Sequence, residues 1–267
     1  MAIPATSYSL AELMICANAA VYDDDGEVLV TGIGVLPRIA ASLAMLSSNP
    51  DIMMTDSEAW LLSRPNPVGK RSVDFKPALE NWMGFSRIFD NVWSGKRHLT
   101  GGPTQIDRFA QANISALGSD YHKPKVQMLG MRGFPGNSIS HANSYLVPTH
   151  SRRVFVEGEC DVVCTIGYNP DRLPRGYSFN DIDVRQVFTD LGVFDFRGPD
   201  RQMRIVSLHP GVSVNEVVEN TGFEVHVPHQ VPTTAAPTEE QLAFIREIDP
   251  QNLRSKQLKD NPPGVRP

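Results

Sequence analysis

The stretch "SLAELMICANAAVYDDDGEVLVTGIGVLPRIAASLAMLSSNPDIMMTD", residues 9–56, carries the plan of the fold. Leu10, Leu13, Met14, Ala17 and Val21 recur at the three-and-four spacing of an amphipathic helix, with Ser9 placed to cap it. An Asp-Gly turn follows in "DDDGE". The β-branched run "VLVTGIG" then reads as a strand, and "LPRIAASLAML" returns to helical spacing with Pro37 in its first turn. "DIMMT" is the next buried strand. This α-β-α-β order predicts an α/β fold with an open, mainly parallel sheet flanked by helices.

Downstream, "FSRIFDNVWSG" predicts a helix stopped by Gly95, and "RHLTGG", "NISALG" and "VQMLG" read as short strands punctuated by glycine. "RRVFVE" and "DVVCTI" continue as strands, and residues 183–211 make the C-terminal half β-rich. "SVNE" at 213–216 and "TEEQ" at 238–241 have the form of capping boxes, the first helix being stopped by Gly222. Residues 1–250 are expected to form a single domain. Residues 251–267 make a proline-rich tail, mobile or lying along a partner.

Composition narrows the function classes. Among 267 residues, 41% are hydrophobic and 21% charged, as in an ordinary folded protein. The net charge of −5, without any long Lys/Arg run, speaks against nucleic acid as a partner. No apolar stretch approaches a membrane span, and the N-terminus lacks the plan of a signal peptide, so the expected location is the cytoplasm. The three cysteines give no disulfide framework. Cys160 and Cys164 have no second Cys/His pair at zinc spacing, and "CDVVCTIGY" reads as a buried strand, so no metal site is expected.

Several motifs resolve to turns. "TGIG" lacks the third glycine of a dinucleotide fingerprint, since position 37 is proline, and a tight strand-to-helix turn accounts for both of its glycines. "YDDDGE" lacks the distal glutamate of a calcium loop and reads as a solvated turn, and His209 in "HPG" has no acidic neighbour in sequence to orient it.

Three segments carry more chemistry. In "GMRGFPGN", residues 130–137, three glycines surround Arg132. Backbone amides near Gly133 would form an oxyanion hole and the guanidinium a clamp for carboxylate or phosphate, or else the segment is a flexible surface loop. "GGPTQIDRFAQAN" places Gln105, Asp107 and Asn113 on connections at a sheet end, where ligands of α/β folds lie, although such residues also bond their own backbone in turns. "TDSE" ends an apolar run in Asp56 and Glu58, as a working site or as a polar strand end.

These segments, in this order, resemble the β subunit of family I CoA-transferases, from "TGIGVLPRIAASLA" through "GGPTQIDRFAQANISALG" to "LHPGVSVNEVVENTGF" and "IREIDP". The resemblance implies the CoA-transferase (NagB/RpiA-like) fold and an α subunit that completes the active site, in an α2β2 heterotetramer. A β-subunit glutamate of that family attacks an acyl-CoA thioester; the matching position here is Asp56, or Glu58 if the alignment shifts by two.

The narrower likeness, carried by "TDSEAWLLS", "RGFPGN" and "DLGVFDFRGPDRQMR", is to steroid ring-opening acyl-CoA hydrolases. It implies water addition to a cyclic keto-enoyl-CoA with cleavage of a ring C–C bond, a glutamate of the α subunit serving as base. No separate cofactor is implied, because CoA is part of the substrate. On this chain it assigns thioester or oxyanion contact to Gly133, carboxylate anchoring to Arg132, and polar support to Asp56, Glu58, Gln105, Asn113 and Asn137. A CoA-transferase with Asp56 or Glu58 as nucleophile, and a purely structural subunit, are the alternatives.

Overall fold

The computed structural model describes residues 3–56 and 59–266. Helix α1 spans Leu10–Ala19, strand β1 Leu29–Gly32 and helix α2 Val35–Leu46. Strands β2 (Thr55–Asp56), β3 (Trp60–Leu62) and β4 (Leu79–Trp82) precede α3 (Phe85–Trp93) and β5 (Arg97–Gly101). Four two-residue strands follow: β6 (Gln105–Ile106), β7 (Ala112–Asn113), β8 (Ala116–Leu117) and β9 (Val126–Gln127). Then come α4 (Phe134–Ser140), β10 (Ala142–Val147), β11 (Val184–Thr189), β12 (Gly192–Asp195), β13 (Arg204–Leu208), α5 (Val214–Asn220) and α6 (Glu239–Ile248). The chain groups into two compact units, residues 1–101 with 234–267, and residues 102–233.

In the first unit β1 and β5 pair in parallel, Leu29 opposite Arg97 and Gly32 opposite Thr100. Ser9 caps α1 as expected, with Glu12 completing a capping box, yet the helix is buried almost all round rather than along one stripe. It packs against α2, which in turn meets α6, itself opened by the Thr238–Gln241 capping box. Gly32 has a packing role: a Cβ there would sit 2.3 Å from the Pro37 carbonyl oxygen, so the strand-to-helix turn closes only on glycine.

Burying Glu12 requires a matching charge. Arg254 donates to Glu12 Oε1 from Nη2 at 3.0 Å and to Asp249 Oδ2 from Nη1 at 3.0 Å, with all three side chains at most a tenth exposed. The proline-rich end is therefore docked and not a free tail: Leu10 N–H donates to Pro262 O, and Gly264 N–H to Tyr8 O.

The second unit holds the β-rich section. β10 and β11 run parallel, while β11, β12 and β13 continue antiparallel. The short pairs β6/β7 and β8/β9 are also antiparallel.

Some local expectations change. "DIMMT" forms only a single parallel bridge, Met53 to Leu29, before entering β2. "RRVFVE" is a turn with one bridge, Phe155 to Ile106. "DVVCTI" is irregular because its links to residues 112–114 alternate between backbone and side chains: Cys164 N–H donates to Ala112 O, but Ala112 N–H donates to Thr165 Oγ1. The "YDDDGE" turn is not wholly solvated, since Asp25 is buried against His98 Nδ1 at 2.6 Å. Gly222 lies beyond the end of α5 and serves close approach, where a Cβ would meet Phe155 O at 2.5 Å.

Arg254→Ala should lower unfolding stability by about 3 kcal/mol, because it strands two buried carboxylates. Urea unfolding followed by circular dichroism measures this, and a loss below about 1 kcal/mol would contradict the account.

Candidate active site

Asp56 sits at the start of an antiparallel hairpin, directly opposite Trp60, which is itself opposite Trp82 on β4. Ala59, at φ +67°, helps turn the chain. Arg38, from α2, donates to the Thr55 carbonyl at 2.9 Å and fixes this strand end to the helix. The Asp56 carboxylate is occupied: Oδ2 accepts from Asn66 Nδ2 at 2.6 Å and from Arg71 Nη1 at 2.5 Å. Burial by itself would raise its pKa, but the Arg71 and Asn66 hydrogen bonds, with Arg71 and Arg38 charges nearby, hold it below the usual carboxylate range. An oxygen so engaged is a weak base and a weak nucleophile. Glu58 lies outside the described residues.

Asn66 is buried and also accepts from Ala78 N–H through Oδ1 at 3.3 Å, while the Arg71 guanidinium lies 5.1 Å over the Phe75 ring. Asn66 and Arg71, from the loop before β4, thus flank the Asp56 carboxylate. Sequence reading missed Arg38, on α2, and Asn66 and Arg71, in the loop before β4, because no periodicity connects either segment to the strand end.

Gln105 and Asn113 face each other across β6 and β7 and are both buried. Asn113 Nδ2 donates to Gln105 Oε1 at 2.7 Å and to Ala116 O at 2.8 Å, while Gln105 Oε1 also accepts from Asp161 N–H at 3.0 Å. These bonds staple the segment internally, the turn-type alternative in the sequence reading. Asp107 is fully buried between them in sequence. Its Oδ1 accepts from the Phe109 and Gln111 amides and its Oδ2 from the Cys160 amide. Burial pushes its pKa up to about 6 against the pull of those amides, with Glu159 adding to the rise.

In the glycine segment only Gly130 takes positive φ, +85°, while Arg132 itself adopts the left-handed region at +55°. Arg132 and Gly133 are at the start of α4 and both exposed, and Asn137 is half-buried one turn on, its N–H donating to Gly133 O at 3.0 Å. Asn143 Nδ2 donates to Asn137 O, and the Phe134 ring meets Tyr145 edge-on at 6.2 Å, so a short, anchored helix replaces a flexible loop. Arg132, Gly133 and Asn137 are thus brought together, and Gln105 with Asn113.

The second unit also contains an open cavity of about 890 Å³, lined by Arg108, Phe109, Glu159, Tyr168, Arg201 and Phe223 among others. Arg201, at φ +59°, lies over the Tyr168 ring. Among the described residues no three His, Cys, Asp or Glu side chains group as a metal site, and no helix is long and apolar enough to cross a membrane. The thiols of Cys16, Cys160 and Cys164 are free, buried and raised in pKa by that burial.

No family model matches the sequence. It is, however, 43% identical over 251 residues to the cholesterol ring-cleaving hydrolase IpdB subunit of Mycobacterium tuberculosis, covering 93% of this chain and 98% of that relative. The chain belongs to the IpdB-subunit family. The crystal structure of Rhodococcus jostii RHA1 IpdAB superposes with a TM-score of 0.84 at 39% identity, covering 94% of this chain and 99% of that one. More distantly, a 3-oxoadipate CoA-transferase subunit of Pseudomonas knackmussii is 30% identical over 249 residues, 91% of this chain and 94% of the relative. The IpdB-type fold is therefore the CoA-transferase fold, as the sequence resemblance implied.

The two carboxylates should titrate in opposite directions. Asp107 is raised above its unfolded value of about 3.9, so its protonated form favours the fold: that contribution is full below about pH 4 and lost as pH rises through about 6. Asp56 is depressed, so its contribution is present above the ordinary carboxylate pKa and lost as pH falls through its folded value. Carboxyl ¹³C NMR should place the Asp107 midpoint near 6, and Arg71→Ala should move the Asp56 midpoint upward. An unmoved Asp56 midpoint would show that Arg71 does not hold the anion.

Proposed function

We propose that this chain is the β subunit of a heteromeric acyl-CoA hydrolase that opens the last ring of a steroid-derived cyclic keto-enoyl-CoA. The observation that carries this reading is 43% identity to an IpdB subunit over nearly the full length of both chains. The match to a chain of IpdAB supports a partner α subunit, and the family resemblance suggests an α2β2 assembly. The free thiols suit a cytoplasmic setting. CoA enters as part of the substrate, and the reaction calls for no further cofactor.

The chemistry adds water to the ring ketone, passes through an oxyanion, and breaks the adjacent C–C bond; its electron pair passes to the released carbon, delocalised into the conjugated system, which takes up a proton, while the former ketone carbon becomes a carboxylate of the opened acyl-CoA. A base in the α subunit activates the water. On this chain, amides at Gly133 and the Asn137 side chain contact the thioester or oxyanion, and Arg132, held in its left-handed conformation, anchors an anionic group of the substrate. Asp56 acts as a fixed anion that orders Arg71 and Asn66. Gln105 and Asn113 staple their own segment of the second unit.

The similarity to a CoA-transferase subunit favours one second reading, in which a carboxylate of this chain carries CoA covalently. The occupied Oδ2 of Asp56 argues for hydrolysis. Incubation of the α–β complex with acyl-CoA followed by borohydride or hydroxylamine distinguishes the two. No carboxylate of this chain should be modified; labelling at position 56 or 58 would establish the transferase. Arg132→Ala should lower kcat/KM roughly 10-fold or more, and wild-type kinetics would remove Arg132 from the site.

A further inference from the structure

Helix α3 is amphipathic, yet most of its apolar stripe faces solvent. Phe85, Ile88, Phe89, Val92 and Trp93 follow three-and-four spacing, but of these only Val92 is buried, and Ile88 is half-buried. A nine-residue helix with no side-chain cap gains little from propensity and depends on packing of that stripe. Trp60, Leu79 and Trp82 on β3 and β4 are exposed as well, and with Phe85, Phe89 and Trp93 they are 38–67% accessible. The indole of Trp82 lies against Gly84, the residue preceding α3, so the aromatic side chains of the hairpin and helix are close at their junction. At roughly 100 Å² each, these six side chains expose on the order of 600 Å² of apolar surface. That is at the upper end for a free-standing protein and more than half of one side of a standard interface.

We propose that the β3–β4–α3 aromatic face is the docking surface for the α subunit, an inference that rests on the heteromeric reading above. The register supports this occupant. Asp56, Trp60 and Trp82 form one cross-strand row, so a chain seated on the aromatics also borders the Asp56–Arg71 clamp. Charges along the same segment, Glu80, Arg87, Asp90 and Lys96, are balanced and lack the cationic cluster an anionic lipid surface would need. Aromatic residues ringed by mixed charge are the composition of a protein interface centre.

The test co-expresses this chain with the α-subunit homologue from the same genome. In the wild-type complex, hydrogen exchange should show residues 79–93 protected relative to the isolated chain. Phe89→Glu and Trp93→Glu, folded by circular dichroism, should weaken pairing by about 30-fold or more, measured by light scattering after size exclusion. Undiminished pairing in both variants, or unprotected residues 79–93 in the wild-type complex, overturns the proposal while leaving the heteromeric reading standing. So does a self-association of the isolated chain that Phe89→Glu abolishes while α pairing persists. Failure of the wild-type chain to associate with α at all removes both readings.

Discussion

Arg254 lies between Glu12 and Asp249, and withdrawing it would leave two carboxylates without their cation in a dry interior. The same requirement recurs through the chain with different solutions. Asp25 is met by a histidine, Asp56 by a guanidinium and an amide, and Asp107 by three backbone N–H groups. Each solution ties two segments together. The Arg254 cluster holds α1 to the C-terminal stretch, and the Asp56 cluster holds the start of the β2–β3 hairpin to residues 66–71.

The pKa directions separate two of these carboxylates by role. Cationic neighbours outweigh burial at Asp56, which stays ionised and gives the local surface a fixed charge pattern. Burial outweighs dipoles at Asp107, which binds a proton more readily while organising the turn through Phe109 and Gln111. Neither has the exposed, weakly solvated carboxylate that attack on a thioester demands. For an IpdB-family chain this accords with the proposed hydrolysis and not with covalent transfer of CoA to either carboxylate.

The fold was legible wherever local signals agreed. Ser9 and Thr238 announced capped helices, and glycines bounded α3 and the β1–α2 turn. "DVVCTI" misled because β-branched content measures fitness for a pleated surface, whereas its neighbours offer alternating side-chain and backbone partners. The candidate site is a different case. Resemblance pointed to Asp56 and to the Arg132–Gly133–Asn137 group, but the donors that set the state of Asp56 come from an irregular loop without a pattern to read. The buried Asp25–His98 pair is invisible for a related reason: its members are 73 positions apart.

The first compact unit is discontinuous, combining residues 1–101 with 234–267, and Arg254 is separated from Glu12 by 242 positions. During synthesis, the N-terminal helix emerges well before the arginine that neutralises its glutamate, by roughly 10 to 50 s at ribosomal speed. The intervening unit has its whole sequence available sooner and is free to settle first. Closure of the N-terminal part is thus a late event in the life of the nascent polypeptide, and a prematurely terminated product lacks the lock that completes it.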